Sequence, residues 1–433
     1  SERKSRESRG LTAVWNLEGS SVLRLFFDGP KVKDTASIAQ NIRRRYIMRN
    51  WKKAISIAAV AALSASALAA PVSVHAEEEA TFKIGGIGPT TGANAAYGSA
   101  VMNSAQIAVD EINEAGGVNG YMLEFNAQDD ESDAEKAVNA YNTLKDWGMQ
   151  MLLGTVTSAP CIAVEAEAVN DNMFLLTPSA TAVESISGEN AFRVCFADPA
   201  QGTASAKYIG ENGLAEKVAV IYDSSDVYSS GIYNAFQTEA QNQPFEIVAA
   251  EAFTADSKTD FSVQLQKAKD SGADLVFMPF YYNEAALVLK QASDMGFEPT
   301  WFGVDGMDGI LSVEGFDTSL AEGLILLTPF SATAEDELTQ NFVTKYQDEY
   351  GEVPNQFGAD AYDGVYILKA ALEQAEATPD MDASALCDAL KAAMQEITFT
   401  GITGSDITWG ADGEPVKDPI VVQIVDGAYQ LMD

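Results

Sequence analysis

The chain has 433 residues, with 63 Asp and Glu against 27 Lys and Arg, a formal net charge of −36 at pH 7. Residues 1–76 hold 13 of the basic residues and only 5 of the acidic ones, so the remainder, with 14 basic and 58 acidic, is more acidic still. Such a surface repels phosphate backbones and anionic lipid, which excludes nucleic acid and membrane surfaces as partners.

Taken in chain order, the first legible segment begins at Met48. Arg49, Trp51, Lys52 and Lys53 precede an apolar, Ala-rich stretch, Ala54–Ala70, which Pro71 breaks before Val74-His75-Ala76. A charged n-region, a short h-region and small residues at −3 and −1 make residues 48–76 a secretory signal peptide. The expectation is that translation starts at Met48 and the mature protein near Glu77, with residues 1–47 an upstream extension outside the fold. The apolar stretch is 17 residues long, at the low edge of a bilayer span, which argues against an anchor. No cysteine lies near the cleavage site, so no lipid anchor is expected, and the product should be exported to the periplasm or the extracellular space.

The single histidine, His75, falls in this signal segment. The mature part therefore lacks histidine acid–base chemistry, Ser-His-Asp and Cys-His nucleophiles and most zinc sites. Arg193 is its one arginine, which argues against an arginine clamp on phosphates or dicarboxylates. Cys161, Cys195 and Cys387 are odd in number and too widely spaced for a metal site. No enzyme, no cofactor and no metal are expected.

From residue 82 onward strands and helices alternate. Phe82–Ile87 predicts a strand, and Val101, Ala105, Ala108, Val109 and Ile112 a helix that Gly116-Gly117 stops. Met122–Ala127 is the next strand, and Ser132 with Glu135 reads as a capping box for a helix through Trp147. Strand Met151–Thr155, helix Pro160–Asn170 and strand Met173–Leu176 follow. A second series runs Val218–Tyr222, helix Ser230–Gln241, Glu246–Ala250, helix Phe261–Ser271, Leu275–Pro279, helix Ala285–Met295 and Thr300–Gly303. Strand Leu324–Leu327, helices near Glu337–Glu349, Gly358–Gln374 and Ala385–Gln395, and strand Ile420–Val425 complete it. Two βαβ series in one chain predict an α/β protein of two Rossmann-like lobes with parallel sheets. Ligands of such sheets bind beyond the carboxyl ends of the strands.

Those ends hold the candidate residues. Gly85-Gly86-Ile87-Gly88-Pro89-Thr90-Thr91-Gly92 fails as a dinucleotide loop, because Thr91 stands where G-x-G-x-x-G needs glycine. Asp129-Asp130-Glu131-Ser132-Asp133 fails as a calcium loop, with Ala134 and Ala140 at the positions that need Gly and Glu. Two consecutive strands run into hydroxyls instead: Thr155 to Pro160 with Ser158, and Thr177-Pro178-Ser179-Ala180-Thr181. Each pairs a hydroxyl with the expected start of a helix, which suits a carboxylate without arginine; ordinary N-capping by Ser158 and Thr181 is the alternative. In the second series Tyr228, Tyr281, Tyr282 and Asp305 follow strand ends. Tyrosines can cover an apolar ligand and one carboxylate can balance an ammonium; solvated loop residues are the alternative there.

Gly88-Pro89-Thr90-Thr91-Gly92 with Tyr97-Gly98, Val109 through Gly120, Asp129-Asp130, Thr177 through Thr181, and Gly358 through Tyr362-Asp363-Gly364 occur in one order. In that order the chain resembles the leucine/isoleucine/valine-binding proteins of bacterial ABC importers, of the type I periplasmic binding family, over essentially all of residues 80–433. The resemblance implies two lobes joined by three crossovers, near Ala197–Ala200, Thr328–Phe330 and Ile407–Gly410. Lobe I would comprise 80–198 with 330–408, and lobe II 199–329 with 409–433. It implies that Ser158, Ser179 and Thr181 hold an α-carboxylate and part of an ammonium, that Asp305 faces the ammonium, and that Tyr97, Tyr228, Tyr281 and Phe357 line the apolar end. It also implies a monomer that delivers a branched-chain amino acid to a permease; a sensor feeding a chemoreceptor or kinase, or the same fold holding an amide, urea-like compound or aromatic acid, are the alternatives. Three departures stand out: Asp305 where the family usually has Glu, Ser179 where Ala is common, and Ser132 and Thr157 where some relatives place a disulfide.

Overall fold

The structure, a computed structural model, describes residues 80–432; the signal peptide and the upstream extension fall outside the described residues. The first half runs β1 (Phe82–Gly88), α1 (Ala95–Glu114), β2 (Leu123–Asp129), α2 (Ala134–Trp147), β3 (Met151–Gly154), α3 (Ser158–Asp171), β4 (Phe174–Thr177) and β5 (Ala191–Arg193). These five strands form one parallel sheet in the order β2-β1-β3-β4-β5. Helices cover both faces, so the central strands are apolar throughout: Met151, Leu152 and Leu153 are all fully buried. The stripe Val101, Ala105, Ala108, Val109 and Ile112 faces that core, and the Gly117 N–H closes the helix on the Ile112 carbonyl at 2.9 Å.

The chain then passes into α4 (Asp198–Glu211), β6 (Lys217–Asp223), α5 (Val227–Ala240), β7 (Glu246–Phe253), α6 (Ser262–Asp270), β8 (Leu275–Met278), α7 (Tyr282–Asp294), β9 (Thr300–Gly303) and β10 (Ile325–Thr328). It returns through α8 (Glu337–Tyr350), α9 (Gln356–Gln374) and α10 (Ala383–Met394), of which α9 packs on α1 and α10 on β4. Finally β11 (Ile420–Val425) and β12 (Ala428–Leu431) join the second sheet, whose order is β12-β11-β10-β9-β8-β6-β7. In both sheets the strand order reverses beside an early strand, β1 in one and β6 in the other, which is where a crevice opens.

Several expectations need correction. The second sheet is mixed, because β11 and β12 run antiparallel to their neighbours. Ser132 and Glu135 form no capping box: Ser132 sits at φ 58° outside the helix, and Asp133 caps it by accepting the Lys136 N–H at 2.9 Å. The short strands β5 and β12 and the whole of α4 carry no sequence signal. The α4 omission has a physical cause. Its inner face is Asp198, Gln201, Gly202, Ser205, Ala206, Ile209 and Gly210, small and polar rather than apolar. Small residues there let α4 and α5 approach closely; a Cβ on Gly202 would lie 2.3 Å from the Ile232 carbonyl oxygen.

Two details fix the crevice. Gly98, in the first turn of α1, lies against the loop after β1, where a Cβ would sit 2.1 Å from the Pro89 oxygen. Lys417, in the last passage between the sheets, is buried with Asp360 of α9 at 3.1 Å and also donates to the Val194 carbonyl and the Thr403 hydroxyl. That one ammonium ties the first and last passages to α9. Gly98→Ala forces backbone against backbone and should cost about 1–3 kcal/mol, read as a lower urea midpoint at unchanged slope.

Candidate ligand-binding site

The eight candidate residues, brought from seven separate segments of the chain, meet around one pocket. Its walls are Tyr97, Val156, Thr157, Ser158, Ser179, Thr181 and Phe357 on one side and Tyr228, Tyr281, Asp305 and Gly306 on the other.

One end offers donors. Ser158 is the first residue of α3, while Thr157 occupies the N-cap position and makes no side-chain cap bond. The Ser158 hydroxyl accepts the Ala182 N–H at 3.2 Å, so its own proton remains to be donated. The Thr157 and Thr181 hydroxyls are buried and have no partner among the described residues. The first N–H groups of α3 add to this set, since a helix leaves them unused. The segment after β4 differs from expectation: no α-helix starts there, only a 3₁₀ turn, Val183–Ile186. Ser179 also differs in detail, because its hydroxyl donates to the Val156 carbonyl at 2.8 Å and joins the two strand-end loops.

The other end offers an acceptor. Asp305 follows β9 and is 4 % exposed. Its Oδ1 accepts the Tyr228 hydroxyl at 2.5 Å and the Gly306 N–H at 2.7 Å, while its own N–H goes to Gln201 Oε1 at 3.1 Å. Both bonds fall on one oxygen, so Oδ2 is the one left for a cationic partner. Burial pushes the Asp305 carboxyl up to about 6, against the pull of Tyr228, Gln201 and Gly306. Burial also raises Asp226 to about 6 and Asp198 well above the usual carboxylate range. This end of the pocket thus holds its acids in a medium that rewards a positive charge.

Between the two ends lies an aromatic wall. Tyr97 stacks on Phe357 with ring centroids 4.0 Å apart, and Tyr228 lies parallel to Tyr281 at 4.8 Å. Tyr97 reaches across to donate its hydroxyl to the Gly306 carbonyl at 2.5 Å. Tyr228 does more than line the wall, since its hydroxyl anchors Asp305 and also accepts the Gly306 N–H at 3.0 Å. Tyr282 leaves the pocket and bonds the Ala93 carbonyl at 2.9 Å, while Gln356 donates its N–H to Asp308 Oδ2 and its side-chain amide to the Asp305 carbonyl, both at 2.8 Å. These bonds join the two sheets' loops across the crevice, which is closed. Sequence reasoning missed Thr157, Gly306 and Gln201. Thr157 sits inside the hydroxyl-rich segment already singled out; Gly306 is small because a Cβ would meet the Tyr228 oxygen at 2.6 Å; Gln201 had no signal, since α4 itself was unseen.

A family model described as periplasmic binding protein matches residues 81–428. The chain belongs to the periplasmic binding protein family. Among its relatives, the Leu/Ile/Val-binding protein BraC3 of Rhizobium johnstonii is 31% identical over 364 residues, covering 82% of this chain and 93% of that one. The branched-chain amino acid transporter substrate-binding protein LivJ of Streptococcus pneumoniae, solved in complex with isoleucine, aligns with a TM-score of 0.74 at 31% identity, over 81% of this chain and 98% of its own. The leucine-binding protein LivK of Thermotoga maritima aligns with a TM-score of 0.72 at 28% identity, over 82% of this chain and 98% of its own. Membership and the α/β two-lobed fold agree with the resemblance read from the motifs.

Two outcomes follow from this geometry for a periplasmic binding protein with an ammonium-bearing ligand. Tyr228→Phe removes a hydrogen bond to a charged group and should weaken binding by about 1.5–3 kcal/mol in calorimetric titration. An ammonium needs the ionised carboxylate, and in the closed crevice burial lifts the Asp305 carboxyl to about 6. Affinity should therefore be level near neutral pH and fall in acid, by up to about tenfold per unit once the carboxyl of the ligand-free protein is protonated; an Asp305→Asn variant that keeps the same acid fall contradicts the role of Asp305.

Proposed function

We propose that this chain is the extracytoplasmic solute-binding component of an ABC transporter, and that it holds a small zwitterionic amino acid with a branched aliphatic side chain. The observation that carries the reading is the opposition of two buried, incomplete polar sets across one aromatic-walled pocket. Ser158, Thr181 and the α3 N-terminus offer donors to a carboxylate, and Asp305 offers Oδ2 to an ammonium. Tyr97, Tyr281 and Phe357 are left for the aliphatic group. BraC3 and LivJ, by their names and the isoleucine in the latter, support the same ligand class.

The mechanism is hinge closure, a motion general to periplasmic binding proteins. Lobe I, drawn as 80–198 with 330–408, takes the carboxylate first. Lobe II, 199–329 with 409–433, then brings Asp305, Tyr228 and Tyr281, expels water and strengthens each polar contact. The Tyr97–Gly306, Tyr282–Ala93 and Gln356–Asp308 bonds form only in the closed state, so they help hold it. On this reading the pocket binds its ligand and releases it unchanged, and the closed form docks as a monomer on a permease. We place the protein outside the cytoplasm because residues 48–76 read as a signal peptide. Among the described residues no helix is long and apolar enough to cross a membrane.

A thermal-shift screen against the twenty amino acids and a panel of amides and aromatic acids tests this, after unfolding and refolding the protein to strip carried-over ligand. Ligand at 100 times its dissociation constant stabilises by about 2.7 kcal/mol, a rise of several degrees. Leucine, isoleucine or valine should give it. A response only to acids or amides lacking the ammonium would keep the fold and overturn the ligand. In a responding protein, Asp305→Ala should weaken binding by about 2–5 kcal/mol.

A further inference from the structure

Arg193, the one arginine after residue 76, is completely buried at the end of β5 and does not line the pocket. A fully buried guanidinium is expensive to keep unless its donors are used and its charge is met. Its contacts converge on one residue of the site. Nη1 donates to the Ala180 carbonyl at 3.1 Å and Nη2 to the Ala182 carbonyl at 2.9 Å. The residue between those two carbonyls is Thr181, whose hydroxyl is buried near the Asp198 carboxyl and makes no well-aligned hydrogen bond among the described residues. The Thr181 carbonyl in turn accepts the Asp198 N–H at 2.8 Å, at the start of α4. Thr181 is thus held on both sides by the guanidinium and from behind by the start of α4.

The outer side of Arg193 faces the last passage between the lobes. Its Nε lies 3.2 Å from Glu414 Oε2, an ion pair whose N–H is not aligned for a hydrogen bond. Its backbone N–H goes to the Gly413 carbonyl at 3.2 Å, and its carbonyl accepts the Trp409 indole N–H at 2.8 Å. Gly413 has φ +76° and lies so close to β5 that a Cβ would be 2.2 Å from the Ala191 oxygen. The turn from Trp409 to Glu414 is therefore seated on the edge of β5, and Arg193 connects that turn to Thr181.

We infer that Arg193 is a positioning residue for ligand recognition: its planar fork fixes Ala180 and Ala182 so that Thr181 presents its hydroxyl and N–H to the ligand's carboxylate, and Glu414 holds the fork in register from the hinge side. The inference rests on the proposed function, in that the ligand carries a carboxylate at this end. A lysine keeps the charge but not the fork, because one ammonium on a flexible stem cannot hold both carbonyls and a carboxylate in fixed geometry.

Arg193→Lys and Glu414→Gln test it in the purified protein, by calorimetric titration with L-leucine and L-leucinamide and by thermal unfolding without ligand. The readout is the leucine-to-leucinamide affinity ratio, which reports carboxylate recognition and is insensitive to stability alone. Arg193→Lys should shrink that ratio by about tenfold or more, as a misplaced recognition group does, and Glu414→Gln by about threefold in the same direction. A lower melting temperature with an unchanged ratio would make Arg193 purely structural and overturn the inference. Should Arg193→Lys not fold, Glu414→Gln, at a partly exposed position, decides alone by the same ratio. Failure of the functional reading would show in the unmutated protein itself, as no response to leucine, and is thereby distinguished from failure of the inference.

Discussion

A polar group taken out of water must find a partner, and the closed crevice is organised around groups that have only part of theirs. The Thr157 and Thr181 hydroxyls are buried without acceptors or donors among the described residues, the first N–H groups of α3 point out of a helix end, and Asp305 keeps one oxygen uncommitted. Each would cost on the order of 1–3 kcal/mol if left so. The rest of the architecture serves to bring these deficits together. Parallel sheets put strand carboxyl ends at the crevice, short loops keep the groups close to rigid strands, and the interlobe bonds exclude the water that would otherwise satisfy them.

The electrostatics follow from the same constraint. The chain is strongly acidic overall, yet the acids that matter are those sealed behind the aromatic wall, where burial lifts Asp305 toward neutrality and makes a cation welcome. The basic residues buried near the hinge do a different task. Lys417 and Arg193 bind backbone carbonyls beside the passages between lobes and leave the pocket to neutral donors. A carboxylate held by hydroxyls and helix N–H groups gains direction from several short bonds, and it can leave again when the lobes part. A guanidinium inside the pocket would hold the anion more tightly and with less regard for the other end of the ligand.

How much of this could be read from residues alone divides along physical lines. The long helices with apolar stripes and the fully apolar strands were legible because burial on both faces of a parallel sheet leaves an unbroken record in composition. The candidate residues that meet at the pocket were legible because strand-end hydroxyls, tyrosines and one aspartate stand out against that record, and the ordered motifs linked them. What failed had no apolar signature. The helix from Asp198 to Glu211 is buried through glycine, serine and alanine, so no periodicity marks it. The cap at Asp133 was taken for Ser132 because both are good cap residues and only backbone dihedrals separate them. The double duty of the Tyr228 hydroxyl and the bond spent by Ser179 are set by distances across the crevice, which no local window contains.

The cysteines bear on how the fold is reached. Cys161, Cys195 and Cys387 are each buried and each free. The lobe that receives the ligand therefore owes nothing to oxidation. Its assembly needs no disulfide, but the three thiols must stay reduced and unmodified to pack where they are buried. It also follows that no covalent tie limits the loops at Asp133 and Thr157: the geometry of the carboxylate end is maintained by hydrogen bonds and packing alone, and can be tuned by single substitutions without first breaking a crosslink.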